Sequence, residues 1–150
     1  MALIAAWVGP LRLPSMSLEP FSHEIRVRYQ EVDMQKVVFN AHYMTYCDET
    51  MAAWVAEAFG WDGSDDEVDW MLVRVELDWQ SAATYGDRIM VTAGVEHWGT
   101  SSFRVQFAGQ LGERPVFAAL ITYVCVTPGT TTTMEVPDLL KQTMATLPGT

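Results

Sequence analysis

The amino-acid sequence predicts an α+β fold, a five-stranded antiparallel sheet wrapped around one long central helix. Three observations carry that expectation. One segment has a sustained helical period, one alternating strand precedes it, and four strand-like runs follow it, separated by turns too short for a crossover helix.

In residues 21–30, Phe21, Ile25, Val27 and Tyr29 alternate with Glu24, Arg26, Arg28 and Gln30, the pattern of a half-buried strand. From Ala41 to Phe59 the period changes. Met44, Cys47, Met51, Trp54, Val55 and Ala58 fall on one stripe, with Thr45, Asp48, Glu49, Ala52 and Glu57 mostly elsewhere. Asn40 stands where an N-cap is expected, Phe39 and Met44 have the spacing of a hydrophobic staple, and Gly60 is placed to stop the helix. The later runs span 69–82, 88–98, 102–111 and 115–127, divided by Tyr85-Gly86-Asp87, Gly99-Thr100 and Gly112-Glu113. Such turns predict an antiparallel meander. The last run, VFAALITYVCV, is apolar on both faces and predicts a central strand. A Thr-rich turn at 127–133 leads to a short helix with Pro137 in its first turn and Leu139, Leu140 and Met144 inward.

Composition narrows the class of function. A chain of 150 residues, 49% hydrophobic and 19% charged, supports one core without staples and is too apolar to be disordered. No apolar run approaches the roughly 20 residues that cross a bilayer. The net charge of -10 excludes nucleic acid as the main partner and disfavours anionic membranes, so a polyanionic ligand needs local donors. Cys47 and Cys125 lie in apolar stretches without metal-ligand spacing, which predicts buried free thiols in a reducing cytoplasm. The apolar run Ala2 to Val8 has no basic flank and ends at Gly9-Pro10, unlike a signal peptide. Residues 1–20 therefore read as an N-terminal extension to a domain of residues 21–150, with Met1 and Met16 both open as starts.

Several machines are missing from the sequence. It holds no GxSxG, no GxxxxGK[ST], no GxGxxG after a strand and no HExxH. His23, His42 and His97 are far apart, so neither a metal nor a cofactor is expected. What remains is the segment 28–49, RYQEVDMQKVVFNAHYMTYCDE, which sets Asp33 in an irregular loop seven positions before Asn40. The unpaired first-turn N–H groups of the following helix, with the positive end of its dipole, can polarise a carbonyl oxygen. An Asp in such a loop is also a common turn former.

The stretch YQEVDMQKVVFNAHYMTYCDE resembles the signature of the 4-hydroxybenzoyl-CoA thioesterase-like hot-dog-fold acyl-CoA thioesterase family. AATYGDRIMV is similar to that family's strand entry and HWGTSSFRVQF to its hairpin, so the resemblance covers about residues 21–140. It implies a hot-dog fold and hydrolysis of an acyl thioester, carried by coenzyme A or by an acyl-carrier protein. It also implies Asp33 as nucleophile or general base, an oxyanion donor at the backbone N–H of Asn40 or Ala41, and Phe39, Tyr43, Trp70 and Val73 around the acyl group. Arg88, Thr100 and Ser101 would meet the nucleotide of CoA. The implied assembly is a homodimer, or a dimer of dimers, with the acyl tunnel between subunits. Three positions depart from the family pattern: Lys36, where Gly is frequent; Asn40, where His or Tyr is frequent; and the turn Gly99-Thr100-Ser101, where some members carry Arg and Lys. Dehydratase chemistry needs a His base that no motif here supplies. A purely acyl-CoA-sensing domain needs an attached reader, for which the chain has no room. Met44, Met51, Trp54, Trp61, Trp70 and Leu72 could line a roomy pocket or simply fill the core.

Overall fold

The computed structural model describes residues 19–60 and 68–147. Strand β1 is Phe21–Arg26, helix α1 is His42–Phe59, and strands β2 to β5 are Asp69–Trp79, Arg88–Trp98, Ser102–Leu111 and Arg114–Val126. A 3-10 turn, Tyr29–Glu31, lies between β1 and α1, and a short helix α2, Asp138–Thr143, follows β5. The expected extension and the acidic loop, with Trp61 beside it, fall largely outside the described residues. Among the described residues no helix is long and apolar enough to cross a membrane.

The five strands form one sheet in the order β1-β3-β4-β5-β2, with every neighbouring pair antiparallel. The expected four-strand meander therefore holds for β3, β4 and β5 and fails for β2, which pairs with β5 at the far edge. The physical reason is connection length. Tight turns force β3–β4 and β4–β5 to be neighbours, whereas residues 80–87 are long enough to carry the chain from one side of the sheet to the other. That connection is pinned as it crosses, with the Gln80 N–H donating to the Val116 carbonyl at 2.8 Å.

Opposed residues of an antiparallel pair share a face, so the register defines the inner surface. Val95, Val105 and Ile121 lie across from one another, as do Ala93, Phe107 and Ala119, and all are buried. Helix α1 packs chiefly over β1 and β3 of this face. Trp54 stacks on Phe21 with ring centres 5.9 Å apart. At the other end, Tyr43 packs on Phe117 at 5.2 Å and on Tyr46 at 5.7 Å.

The buried flank of α1 is Tyr43, Tyr46, Cys47, Thr50, Met51, Trp54 and Val55; it keeps Cys47, Met51, Trp54 and Val55 of the expected stripe and adds the two tyrosines and Thr50, while Met44 is on the exposed side and Ala58 is half-buried. Two tyrosine rings fill more of the space against the sheet than Met44 would. The buried Thr50 hydroxyl donates to the Tyr46 carbonyl at 2.7 Å, which removes the cost of desolvating it. Gly60 ends the helix as expected, at φ 67° with its N–H on the Ala56 carbonyl. Strand β1 ends at Arg26 instead of Gln30, because the chain tightens into the 3-10 turn around the Glu31 carboxylate. Leu140 of α2 and Met144 just past its end are buried as expected, but Leu139 faces outward. Cys47 and Cys125 are both free and buried.

Gly109 of β4 lies opposite Phe117 on the inner face, and a Cβ there would overlap the Phe117 ring. That ring is fully buried and packs against Tyr43, so giving way to the Cβ would disturb a second contact. Gly109→Ala is expected to destabilise the fold by about 1–3 kcal/mol through overpacking, read as a lower urea midpoint with an unchanged m-value.

Candidate active site

The Asp33 loop is a small hairpin set ahead of α1. Val32 and Val38 form an antiparallel bridge, and the Asp33 N–H donates to the Val37 carbonyl at 2.9 Å. Inside the turn the Lys36 N–H donates back to the Asp33 carbonyl at 2.9 Å, and Asp33 Oδ1 accepts the Gln35 N–H at 2.8 Å. Asp33 is thus a turn former, as its residue type suggests. The same bond fixes the carboxylate, which is half-buried and has no partner for its second oxygen among the described residues. The turn forces Lys36 to φ 65°, the left-handed region that glycine enters without strain. This explains why Gly suits that position and what the Lys departure costs the backbone.

The loop is anchored on two sides. Toward the sheet, the Val38 N–H donates to the Ala83 carbonyl at 2.9 Å and the Thr84 hydroxyl donates to the Lys36 carbonyl at 2.8 Å. Toward the helix, the anchor is Glu31, only 2% exposed. Its Oε2 accepts the Arg28 N–H at 2.8 Å and the Tyr46 hydroxyl at 2.9 Å, and its Oε1 accepts the Arg28 guanidinium at 2.7–2.8 Å. Burial by itself pushes the Glu31 carboxyl up. The hydrogen bonds from Arg28 and Tyr46 outweigh it and hold the group below the usual carboxylate range. Burial and the adjoining carboxylate push the Tyr46 phenol strongly up, which keeps it a donor. Neither Glu31 nor Tyr46 stands out in the sequence, where one lies just past the alternating strand of residues 21–30 and the other is a helix position off the expected stripe.

Asn40 does not cap α1. The helix starts at His42 behind Ala41, and no side chain makes a cap hydrogen bond there. The chain enters through a tight turn, with the His42 N–H on the Phe39 carbonyl at 3.0 Å, so the backbone does what the Asn40 side chain was expected to do. Neither the Asn40 nor the Ala41 N–H donates to a backbone carbonyl among the described residues. The expected staple is absent too. Phe39 and Met44 are both exposed, and Phe39 instead meets the His42 ring edge-on at 6.2 Å.

The other expected site residues are spread over the fold. Tyr43 is buried between helix and sheet, and burial pushes its phenol up. Trp70 lies at the start of β2, edge-on to Phe103 at 5.8 Å and to Tyr123 at 6.4 Å. Val73 is 57% exposed at a bulge where the β2–β5 register shifts. Arg88 begins β3 at the Asp33 end of the sheet, ion-paired with Glu24, whereas Thr100 and Ser101 lie past the other end of β3. The 11 residues of β3 set those ends about 33 Å apart. One chain therefore brings Asp33, Phe39, Asn40, Ala41 and Arg88 to one end and leaves Trp70, Val73, Thr100 and Ser101 toward the other.

The fold, one long helix laid in a curled five-stranded antiparallel sheet with a carboxylate turn ahead of the helix, is that of the hot-dog class. A model of the thioesterase superfamily matches residues 35–117, more than half of the chain, and the chain belongs to that superfamily of thioester hydrolases. A 1,4-dihydroxy-2-naphthoyl-CoA hydrolase of Nostoc punctiforme is 23% identical over 130 residues, 84% of this chain and 87% of that protein. Among solved structures, a protein of Pseudomonas aeruginosa superposes with a TM-score of 0.79 at 21% identity, covering 91% of this chain and 99% of the other. A 1,4-dihydroxy-2-naphthoyl-CoA thioesterase of Synechocystis superposes with a TM-score of 0.71 at 19% identity, covering 82% and 93%.

Because Asn40 makes no cap, Asn40→Ala is expected to change stability by less than about 0.5 kcal/mol, the range of an ordinary surface substitution. A thermal melt checks this. A drop of about 1 kcal/mol or more would restore the capping role.

Proposed function

We propose that this protein hydrolyses an acyl-CoA thioester, with Asp33 as the working carboxylate and the Asn40 and Ala41 N–H groups as donors to the thioester oxygen. The observation that carries the reading is the Asp33 turn. One carboxylate oxygen is tied to Gln35, the other has no partner among the described residues, and the loop folds back on the approach to α1, where the Asn40 and Ala41 N–H groups have no backbone acceptor among the described residues. In the general-base route Asp33 takes a proton from water, the oxygen adds to the thioester carbon, and the C–S bond breaks as the thiolate leaves and is protonated. In the nucleophilic route a carboxylate oxygen adds to the thioester carbon, the C–S bond breaks as the thiolate leaves and is protonated, and water then hydrolyses the mixed anhydride to the free acid and the restored Asp33 carboxylate. Both routes place negative charge on the former carbonyl oxygen, where helix-start N–H groups are most useful. The curated relative's CoA-linked aromatic substrate supports CoA as the carrier. The free thiols at Cys47 and Cys125 fit a reducing cytoplasm.

The proposed unit is a homodimer joined through β2, with a dimer of dimers as the larger assembly. Strand β2 is an edge, and Leu72, Val73 and Trp79 on it are exposed. Unpaired edges of this kind invite pairing with a second copy. Two β2 strands related by a two-fold axis run antiparallel, so the start of one lies beside the end of the other. That pairing brings the partner's Trp70 and Val73 toward the Trp79 end of this chain, where the Asp33 loop is anchored. It also accounts for an acyl-binding set that one chain leaves divided.

Asp33→Asn is expected to keep its fold and lose about 10²- to 10⁴-fold in turnover, measured as free-thiol release from a panel of acyl-CoA and acyl-carrier-protein substrates. Near-normal release would sink the mechanism. Release from the carrier-protein substrates alone would change the carrier, and acyl-CoA binding with no release by the wild type would leave a binding domain. For the shared site, inactive Asp33→Asn is mixed with a Trp70→Ala variant crippled on its own. Recovered turnover is expected, and a monodisperse active monomer by sedimentation would overturn the dimer.

A further inference from the structure

We propose that Glu31 is the positioning residue of this site: its buried carboxylate, gripped by Arg28 and Tyr46, holds the Asp33 turn against the start of α1. The proposal rests on Asp33 as the working carboxylate. Asp33 is oriented only from within its own turn, by the Val37 carbonyl and the Gln35 and Lys36 N–H groups, among the described residues. Nothing in that set relates it to the helix. The relation passes through Glu31, two residues earlier in the chain.

Glu31 reaches both partners that matter. Its carbonyl accepts the Phe39 N–H at 2.9 Å, one residue before Asn40, and its Oε2 accepts the hydroxyl of Tyr46, which stands one turn inside α1. Arg28 closes the other side through its backbone N–H and its guanidinium, so both carboxylate oxygens are filled. A helix with an ordinary apolar first turn could be packed here without a charge, since buried ion pairs are weak stabilisers compared with apolar residues of the same volume. What a fully bonded buried carboxylate adds is direction. Four hydrogen-bond and ion-pair contacts with fixed geometry tolerate little displacement, whereas apolar side chains slide. The Ala83 and Thr84 contacts hold the loop to the sheet, and the Glu31 contacts set its distance and angle to the helix donors.

The test compares Tyr46→Phe, which removes a single hydroxyl and keeps the ring, with Glu31→Gln, which keeps the shape and removes the charge. Each is measured for kcat and KM separately, and again in the Asp33→Asn background. Displacing a reacting group by an ångström can cost about 100-fold, so kcat is expected to fall by roughly 10- to 100-fold with KM within about twofold. In the Asp33→Asn background the same changes should remove little of the residual turnover, because they act through Asp33. Melting should move far less than kcat in Tyr46→Phe. Should Glu31→Gln fail to fold, Tyr46→Phe decides alone. If Asp33→Asn is inactive while folded Tyr46→Phe keeps wild-type kcat, or if the losses are fully additive with Asp33→Asn, the positioning role is overturned. If Asp33→Asn is itself near-normal, the underlying assignment of Asp33 fails instead, which is a different result.

Discussion

The arrangement depends on one constraint: a single sheet must bury the broad apolar flank of an 18-residue helix. A sheet of five strands is wide enough to do so only if it curls, and α1 lies over the β1 and β3 side of the curl. Trp54 on Phe21 fixes one end of the helix to β1, and Tyr43 on Phe117 ties its start across to β5. What the helix covers on one side it leaves open on the other. The exposed Leu72 and Trp79 of β2 follow from where the helix sits, not from a shortage of apolar residues in the core.

The position of the helix start is set from the same end. Tyr43 and Tyr46 follow one another round the helix by three residues, and they do different work. Tyr43 is an aromatic wedge between helix and sheet, while Tyr46 turns its hydroxyl to a carboxylate. Packing and polar direction are thus supplied by neighbouring residues of one helical turn. A carboxylate loop placed ahead of such a turn inherits a defined setting from both.

Local pattern made much of this fold legible. Strands β3 and β4 have the bounds that the turn residues flanking them predict. Helix α1 and its Gly60 stop were equally plain. The place of β2 was not, since a strand's neighbour is decided by the length and path of its connections and not by its own pattern. The middle of the helix stripe, Cys47, Met51, Trp54 and Val55, is legible from its period, but its start is not, because Tyr is neither clearly apolar nor clearly polar and Met44 outweighs Tyr43 and Tyr46. Asn40 looked like a cap, but a backbone turn at Phe39 and His42 took that duty. Asp33 could be singled out only through the family resemblance, since a loop Asp has an ordinary structural use, and here it has that use as well. Glu31 left no signal, because burial of a lone Glu becomes visible only when Arg28 and Tyr46 are seen around it.

The loop that carries Asp33 is short, yet its anchors are distant in the chain. The Thr84 hydroxyl and the Lys36 carbonyl are 48 residues apart in sequence, and the Val38 N–H reaches nearly as far to Ala83. Contacts of that separation have a high loop-closure cost and are made slowly compared with a helix turn or a hairpin. The hairpin bridge and α1 can form early from nearby residues, but the connection that pins them arrives only once β3 has docked beside β1. A partly folded chain would therefore carry the Asp33 turn and α1 already tied to each other through Glu31 and Tyr46 but not yet pinned to the sheet, so the seating of the turn on the sheet belongs to the late, high-contact-order stage of folding.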